Sequence, residues 1–193
     1  MAQLGTTTKH ALRYKQTVWQ SLSRSAQFFQ RAPDMTTAQE IKKKFLSSPN
    51  FAVVGASKDQ SKFGTKVSAS LPPLHLPLTH NCVQILKWYQ ARNLDITPVH
   101  PKETELEGVA TVSNLAGLPS PASTSVSIVT PPKVTLNILK EAKELKVPAL
   151  WLQPGAEDET VADFIKENGL AGQVIYGGPC LLVEGDGIRK SLL

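Results

Sequence analysis

Five short strand-like runs, set apart by stretches of helix length, constrain this chain more than any other feature. They are "FAVV" (51–54), "DITPV" (95–99), "SVSIV" (125–129), "PALWL" (148–152) and "QVIY" (173–176). "FAVV" is a continuous apolar run and reads as a buried strand, and the other four read as the second to fifth strands. Between the runs lie helical patterns. "TTAQEIKKKFLSS" opens on a capping box, Thr37-Ala38-Gln39-Glu40, and is stopped by Pro49. "LKWYQARN" is the end of a helix, and "EDETVADFIKEN" is another. "PPKVTLNILKEAKEL" places Val134, Ile138, Leu139 and Leu145 near one face. Strands alternating with helices predict parallel βαβ units and an α/β fold. It is three-layer and Rossmann-like, with a doubly wound, mostly parallel five-stranded sheet. Such sheets take ligands at the carboxyl ends of their strands, so the residue after each strand matters most.

After the first run comes "GASKDQSKFGTK". Gly55 permits a tight turn, and Ala56 and Ser57 are small where a phosphate would approach. Phe63, Gly64 and Thr65 lead into the next helix, whose first N–H groups point at an anion. Lys58, Lys62 and Lys66 add positive charge. The spacing is not G-x-G-x-x-G, and a plain strand-to-helix turn with solvated lysines is the competing reading. After the second run come Val99, His100, Pro101 and Lys102, where dinucleotide enzymes place an acid for the ribose hydroxyls. The acid missing there argues against NAD, while the prolines and Lys102 suit an adenine edge and a phosphate. His100 reads as a loop-ordering residue ahead of a catalyst. After the third run, Thr130 is a candidate cap, and Pro131 and Pro132 suit the first helical positions. They make either a well-formed helix start or a rigid wall beside a ligand. After the fourth run, Gln153 offers hydrogen bonds and Gly155 a turn. After the fifth, Gly177, Gly178 and Pro179 let backbone pass closely, and Cys180 reads as a packed small residue ahead of a reactive thiol.

The ordered set "VVGAS…KFGTKV", "TPVHPK", "TPPKV", "LWLQPGAEDE" and "GGPCLLV" resembles the CoA-binding domain family. This is the module that forms the amino-terminal domain of the succinyl-CoA synthetase alpha subunit and also occurs as small stand-alone proteins. The resemblance runs from about Phe51 to Val183, with one interruption. It implies that Gly55, Ser57 and Lys62 lie against the diphosphate or 3′-phosphate of coenzyme A, or of an acyl-CoA. Val99 and Pro101 would sit by the adenosine, and Thr130, Pro131 and Gln153 along the pantetheine. No residue here matches the synthetase's phosphorylated histidine, so the resemblance carries over binding and not ligase activity. The residues themselves show no Ser-His-Asp set, metal spacing or Walker loop. Glu157, Asp158 and Glu159 read as a solvated first helical turn that complements the helix dipole.

The interruption is "SASLPPLHLPLTHNCVQI" (68–85), uncharged and broken by Pro72, Pro73 and Pro77 where a helix is due. Two hypotheses account for it. One is an intron retained in frame from Val67 to Gln84; the other is a loop inserted over the ligand mouth. Transcripts of the long form alone, over genomic DNA without splice signals, would sink the first. Equal CoA affinity with and without the segment would remove any damaging effect.

Composition settles partners more coarsely. The formal charge is +5, but residues 1–34 hold Lys9, Arg13, Lys15, Arg24 and Arg31 against Asp34 alone. The rest of the chain is close to neutral and lacks the electrostatic footprint of a nucleic-acid binder. No apolar run approaches the roughly 20 residues of a membrane span. Cys82 and Cys180 form no metal spacing or disulfide framework. The 1–34 segment is basic and amphipathic, with Ala11, Tyr14, Val18, Leu22 and Phe29 on one helical face. It reads as a mitochondrial transit peptide or a basic tail before a domain of residues 35–193, which leaves matrix and cytoplasm open. Met35 is a candidate start. A homodimer or an unidentified protein partner stays open as well. Three functions compete: a non-catalytic CoA or acyl-CoA carrier or sensor; an NAD(P)-dependent oxidoreductase or CoA-linked transferase; and an interaction module with a decayed nucleotide pocket.

Overall fold

A computed structural model describes residues 38–55 and 82–193. The N-terminal segment 1–34, Thr37, and the sequence-named site residues Ala56, Ser57, Lys62, Phe63 and Gly64 lie outside the described residues. So does most of the 68–85 segment.

Among the described residues, five helices and seven strands follow in the order α1 (Ala38–Leu46), β1 (Asn50–Val54), α2 (Cys82–Gln90), β2 (Ile96–Val99), β3 (Glu105–Leu106), β4 (Val109–Ala110), β5 (Thr124–Ile128), α3 (Pro132–Glu144), β6 (Leu150–Leu152), α4 (Glu159–Glu167), β7 (Val174–Ile175) and α5 (Leu181–Lys190). The main sheet has the order β2-β1-β5-β6-β7. All its pairings are parallel, with Phe51 beside Ile96 and Ser125, and Ile128 beside Leu152. The alternation of side chains along β1 explains the layering. Phe51 and Val53 turn to a core shared with Phe45 of α1, Leu86 and Tyr89 of α2 and Ile188 of α5. Ala52 and Val54 turn to a core shared with Leu139 and Ala142 of α3 and Val161 and Ile165 of α4. Helices on both faces of a parallel sheet make the three-layer, doubly wound fold that the sequence pattern predicts.

Several local expectations change. α2 starts at Cys82, inside the 68–85 segment, and Val83 and Ile85 are buried in the core. The apolar end of that segment is therefore helix. On α3 the buried face is Thr135, Ile138, Leu139 and Ala142. Val134 is 45% exposed and so is not on the buried face as expected, and Leu145 is half-buried. Thr130 does not cap this helix. The cap position is Pro131, with no side-chain bond, and Pro132 is the first helical residue. Instead the Thr130 hydroxyl lies 2.8 Å from that of Thr135, which also donates to the Thr130 carbonyl at 3.1 Å. The hairpin β3–β4 and the helix α5 are additions to the sequence reading. α5 buries Leu181, Gly185 and Ile188, a helical spacing interrupted in sequence by two glycines.

Candidate functional site

The order of the sheet reverses between β1 and β5: the chain steps from β1 to β2 on one side and to β5 on the other. At such a switch point the connections leave in opposite directions and a crevice opens at the strand ends. Here the crevice has a volume of about 490 Å³, inside the roughly 300–1,000 Å³ typical of small-molecule pockets. Its floor is Val54 and Gly55 at the end of β1 and Thr130 and Pro131 after β5. Gly55 has a φ of +91°, and a Cβ there would meet Thr130 Cγ2 at 2.7 Å and the Val129 carbonyl oxygen at 3.1 Å. Only glycine allows both this backbone conformation and this close approach.

One wall comes from the loop after β2. Val99, His100, Pro101, Lys102 and Glu103 all line the crevice. His100 orders this loop: its Nδ1 accepts the backbone N–H of Glu103 at 2.9 Å and of Lys102 at 3.2 Å. With Nδ1 accepting twice, the neutral ring carries its proton on Nε2. The second wall is α3, through Val134, Ile138 and Glu141. Ser113, Asn114 and Leu115 close the outer end. They are brought there by the segment after β4, since His100 N–H donates to the Val112 carbonyl at 2.9 Å and Val112 N–H to the Pro98 carbonyl at 3.1 Å. Asn114 caps the short turn Leu115–Gly117 by accepting from Gly117 N–H at 3.0 Å.

The crevice gathers Gly55, Val99, His100, Pro101, Lys102, Thr130 and Pro131 from the sequence-named residues; Pro132, Gln153 and Gly155 are not among its lining. Glu103, Ser113, Asn114, Leu115, Val134, Ile138 and Glu141 are additions. Two of these matter chemically, because the site carries carboxyl groups although no acid directly follows β2. The Glu141 signal is present in the sequence: 131, 134, 138 and 141 share one helical face. Ser113 to Leu115 carry no such periodicity. The prolines also change the chemistry of the α3 start. Pro132 has no N–H, and the N–H groups of Val134 and Thr135 both donate to the Pro131 carbonyl. This helix start is thus a rigid wall and a poor source of anion-binding donors.

Gln153 and Gly155 belong to the next strand end. Gln153 is fully buried, and its Oε1 accepts the N–H of Leu181, the first residue of α5, at 3.0 Å. Glu157 is no solvated first-turn residue: its Oε1 accepts Gly177 N–H at 2.7 Å. The helix α4 is capped by Asp158, which accepts from Val161 N–H at 3.0 Å. Two side chains from the β6–α4 loop thus hold the Gly177–Leu181 loop. Each retains a buried polar atom without a hydrogen-bond partner among the described residues, a donor at Gln153 Nε2 and an acceptor at Glu157 Oε2. Buried polar atoms left in this way are uncommon and point to a missing partner. Cys180, buried, is the cap residue of α5. Among the described residues no group of His, Cys, Asp and Glu is placed to hold a metal ion, and no helix is long and apolar enough to cross a membrane.

Fold and site together define a doubly wound, Rossmann-like domain with a crevice at the switch point of its sheet. The chain belongs to the CoA binding domain family, whose sequence profile matches residues 49–186. It is similar to a conserved hypothetical protein from Pyrococcus furiosus, at 32% identity over 70% of this chain and 97% of that one, with a TM-score of 0.52. A hypothetical protein from Pyrococcus horikoshii shares the fold at 19% identity, covering 82% and 96% of the two chains, with a TM-score of 0.59. A Thermus thermophilus protein does so at 24% identity over 79% and 98%, with a TM-score of 0.57. No curated protein matches the chain.

Proposed function

We propose that this domain binds coenzyme A or an acyl-CoA along the carboxyl edge of its sheet, as a non-catalytic carrier or sensor. The adenosine occupies the crevice between Val99–Pro101 and α3, and the pantetheine runs past Thr130 and Pro131 to Gln153. The observation that carries this reading is the pair Gln153 Nε2 and Glu157 Oε2. Pantetheine is a chain of amides, and each amide offers one carbonyl acceptor and one N–H donor. A pantetheine amide carbonyl that reached Gln153 Nε2 would satisfy the buried donor, and an amide N–H that reached Glu157 Oε2 the buried acceptor; a plain hydrocarbon acyl chain would satisfy neither. Membership of the family supports the same ligand class. Positive charge for the phosphates falls to Lys102, which lines the crevice, and to Lys62 from the loop after β1.

A second reading rests on Glu103. A carboxyl-bearing residue on the β2 side of the crevice suits the ribose hydroxyls of a nicotinamide dinucleotide. Calorimetric titration with CoA, acetyl-CoA, dephospho-CoA, NAD and NADP separates the two. Selective binding of CoA and acetyl-CoA is expected. Selective binding of NAD or NADP would replace the first reading with the second, and no response to any ligand would favour a decayed pocket. The variant Gln153→Glu keeps an acceptor for Leu181 N–H but removes the Nε2 donor. It should weaken CoA about tenfold while leaving ADP unchanged. Equal losses for both ligands would take Gln153 out of the pantetheine path.

A further inference from the structure

The crevice-facing stripe of α3 changes character along its length. Pro131 and Val134 stand at the sheet end beside Gly55, Ile138 follows, and Glu141 stands at the outer end. These positions are spaced by three, four and three residues, so they form one row on the helix. From Val134 to Glu141 the helix rises roughly 10 Å, at about 1.5 Å per residue. That is about the reach from the sugar-bound phosphate of a nucleotide to the far edge of its base. The row thus runs from the turn at the end of β1, through apolar surface, to a carboxylate.

Both parts of the outer end have a defined geometry. Val134 is exposed although apolar, and it lines the crevice together with Pro101 and the more buried Ile138 and Val99. An apolar lining of this kind suits a flat heterocycle. Glu141 is held in place because its Oε1 accepts the N–H of Ala116 at 3.1 Å. A carboxylate has about four lone-pair directions, so Glu141 keeps acceptor capacity at the crevice rim. It can only accept, and the base group that meets it must donate.

We infer that Glu141 is a specificity-determining residue that selects a purine bearing a 6-amino group, with the base held between Val134 and Ile138 on one side and Val99 and Pro101 on the other. This rests on the adenosine placement proposed above and adds how the base is told apart from others. Adenine presents one donor to Glu141 through its exocyclic amine. Purine riboside lacks that donor and is otherwise the same shape. Guanine carries a carbonyl at position 6, so an acceptor and not a donor would face Glu141 in the same pose.

The test is titration calorimetry of the full chain with CoA, ADP, GDP and purine riboside 5′-diphosphate, repeated on Glu141→Gln. The native chain should prefer ADP over purine riboside diphosphate by about tenfold, and over GDP by at least as much. Glu141→Gln is nearly isosteric and can still accept from Ala116 N–H through its amide oxygen. Its amide nitrogen then faces the adenine amine as a second donor. The preference for ADP over purine riboside diphosphate should fall below about twofold, with an unchanged melting temperature. A native chain that binds CoA but binds ADP and purine riboside diphosphate equally would overturn the role of Glu141 alone. So would GDP binding as tightly as ADP, or a preference that survives Glu141→Gln. Failure to bind CoA and every nucleotide would overturn the adenosine placement together with it.

Discussion

Gly55 and Gly155 both hold backbone with positive φ, at +91° and +89°, yet their surroundings differ. A Cβ at Gly155 would meet nothing within 4 Å, whereas one at Gly55 would press into Thr130. Gly155→Ala should therefore carry only the conformational term, about 1–2 kcal/mol. Gly55→Ala adds overpacking of about 1–3 kcal/mol. Urea unfolding midpoints measure both, and equal losses would show that the Gly55–Thr130 approach relaxes without strain. Residue by residue, the sequence reading is most informative where backbone geometry makes the demand. That Gly55, Val99 to Lys102, Thr130 and Pro131 line one crevice follows from their places at or just after strand ends; what they bind is the proposal made above. Glu157 is misread, since an acid at a helix start suits the dipole equally well whether it faces solvent or reaches Gly177. Nothing local distinguishes the two. Glu141 is missed although it shares a helical face with 131, 134 and 138, because that face gains meaning only once the opposite wall of the crevice is known.

At the scale of elements, the five strands of the main sheet are the most legible part, since each is a short run rich in apolar or β-branched residues and is almost wholly buried, whereas the two-residue strands of the β3–β4 hairpin carry no such signal. α5 escapes because Gly185 and Gly187 lower helix propensity and resemble a turn. Its reason lies in packing. A Cβ at Gly185 would lie 2.5 Å from Cζ2 of Trp88, so α5 crosses α2 as closely as it does only with glycine there. The contact is reinforced from the side: Arg92 stacks on the Trp88 ring at 4.1 Å and binds Asp186 of α5 through two nitrogens, at 2.5 and 2.6 Å. Gly185→Ala would raise helix propensity by about 1 kcal/mol. It should nonetheless destabilise the protein, because the rigid indole has to move, at about 1–3 kcal/mol. Thermal unfolding checks the sign. A stabilised variant would mean that α2 and α5 separate freely. The phase of α3 is the other instructive error. Periodicity places Val134 with the core, but the helix turns that residue into the crevice, where a ligand and not the sheet would cover it.

For the whole molecule, binding and folding are linked. If CoA binds only the native state, a concentration one hundred times its Kd should stabilise the domain by about 2.7 kcal/mol. At about 2–4 °C per kcal/mol for a chain of this size, the melting temperature rises by roughly 5–10 °C. Protons give a second, independent linkage through Tyr89. Its ring is fully buried against Phe51 and Trp88, and its hydroxyl lies 2.9 Å from Ser127 Oγ. Burial raises its pKa, an effect only partly opposed by the Ser127 hydrogen bond. In the unfolded chain the phenol titrates at roughly 10. Below that pH both states are neutral, and the stabilisation is fully present. Above it the unfolded state releases a proton that the native state retains, so stability falls as pH rises towards the native pKa, by about 1.4 kcal/mol per pH unit for one proton. Tyr89→Phe removes this titration and leaves Ser127 without its partner. The variant should be less stable than the native protein by about 1 kcal/mol at neutral pH. Between pH 10 and 11 its stability should fall more gently, so that the two curves converge. Parallel curves across that interval would mean that Tyr89 ionises equally in both states, and that its burial does not hold the phenol neutral.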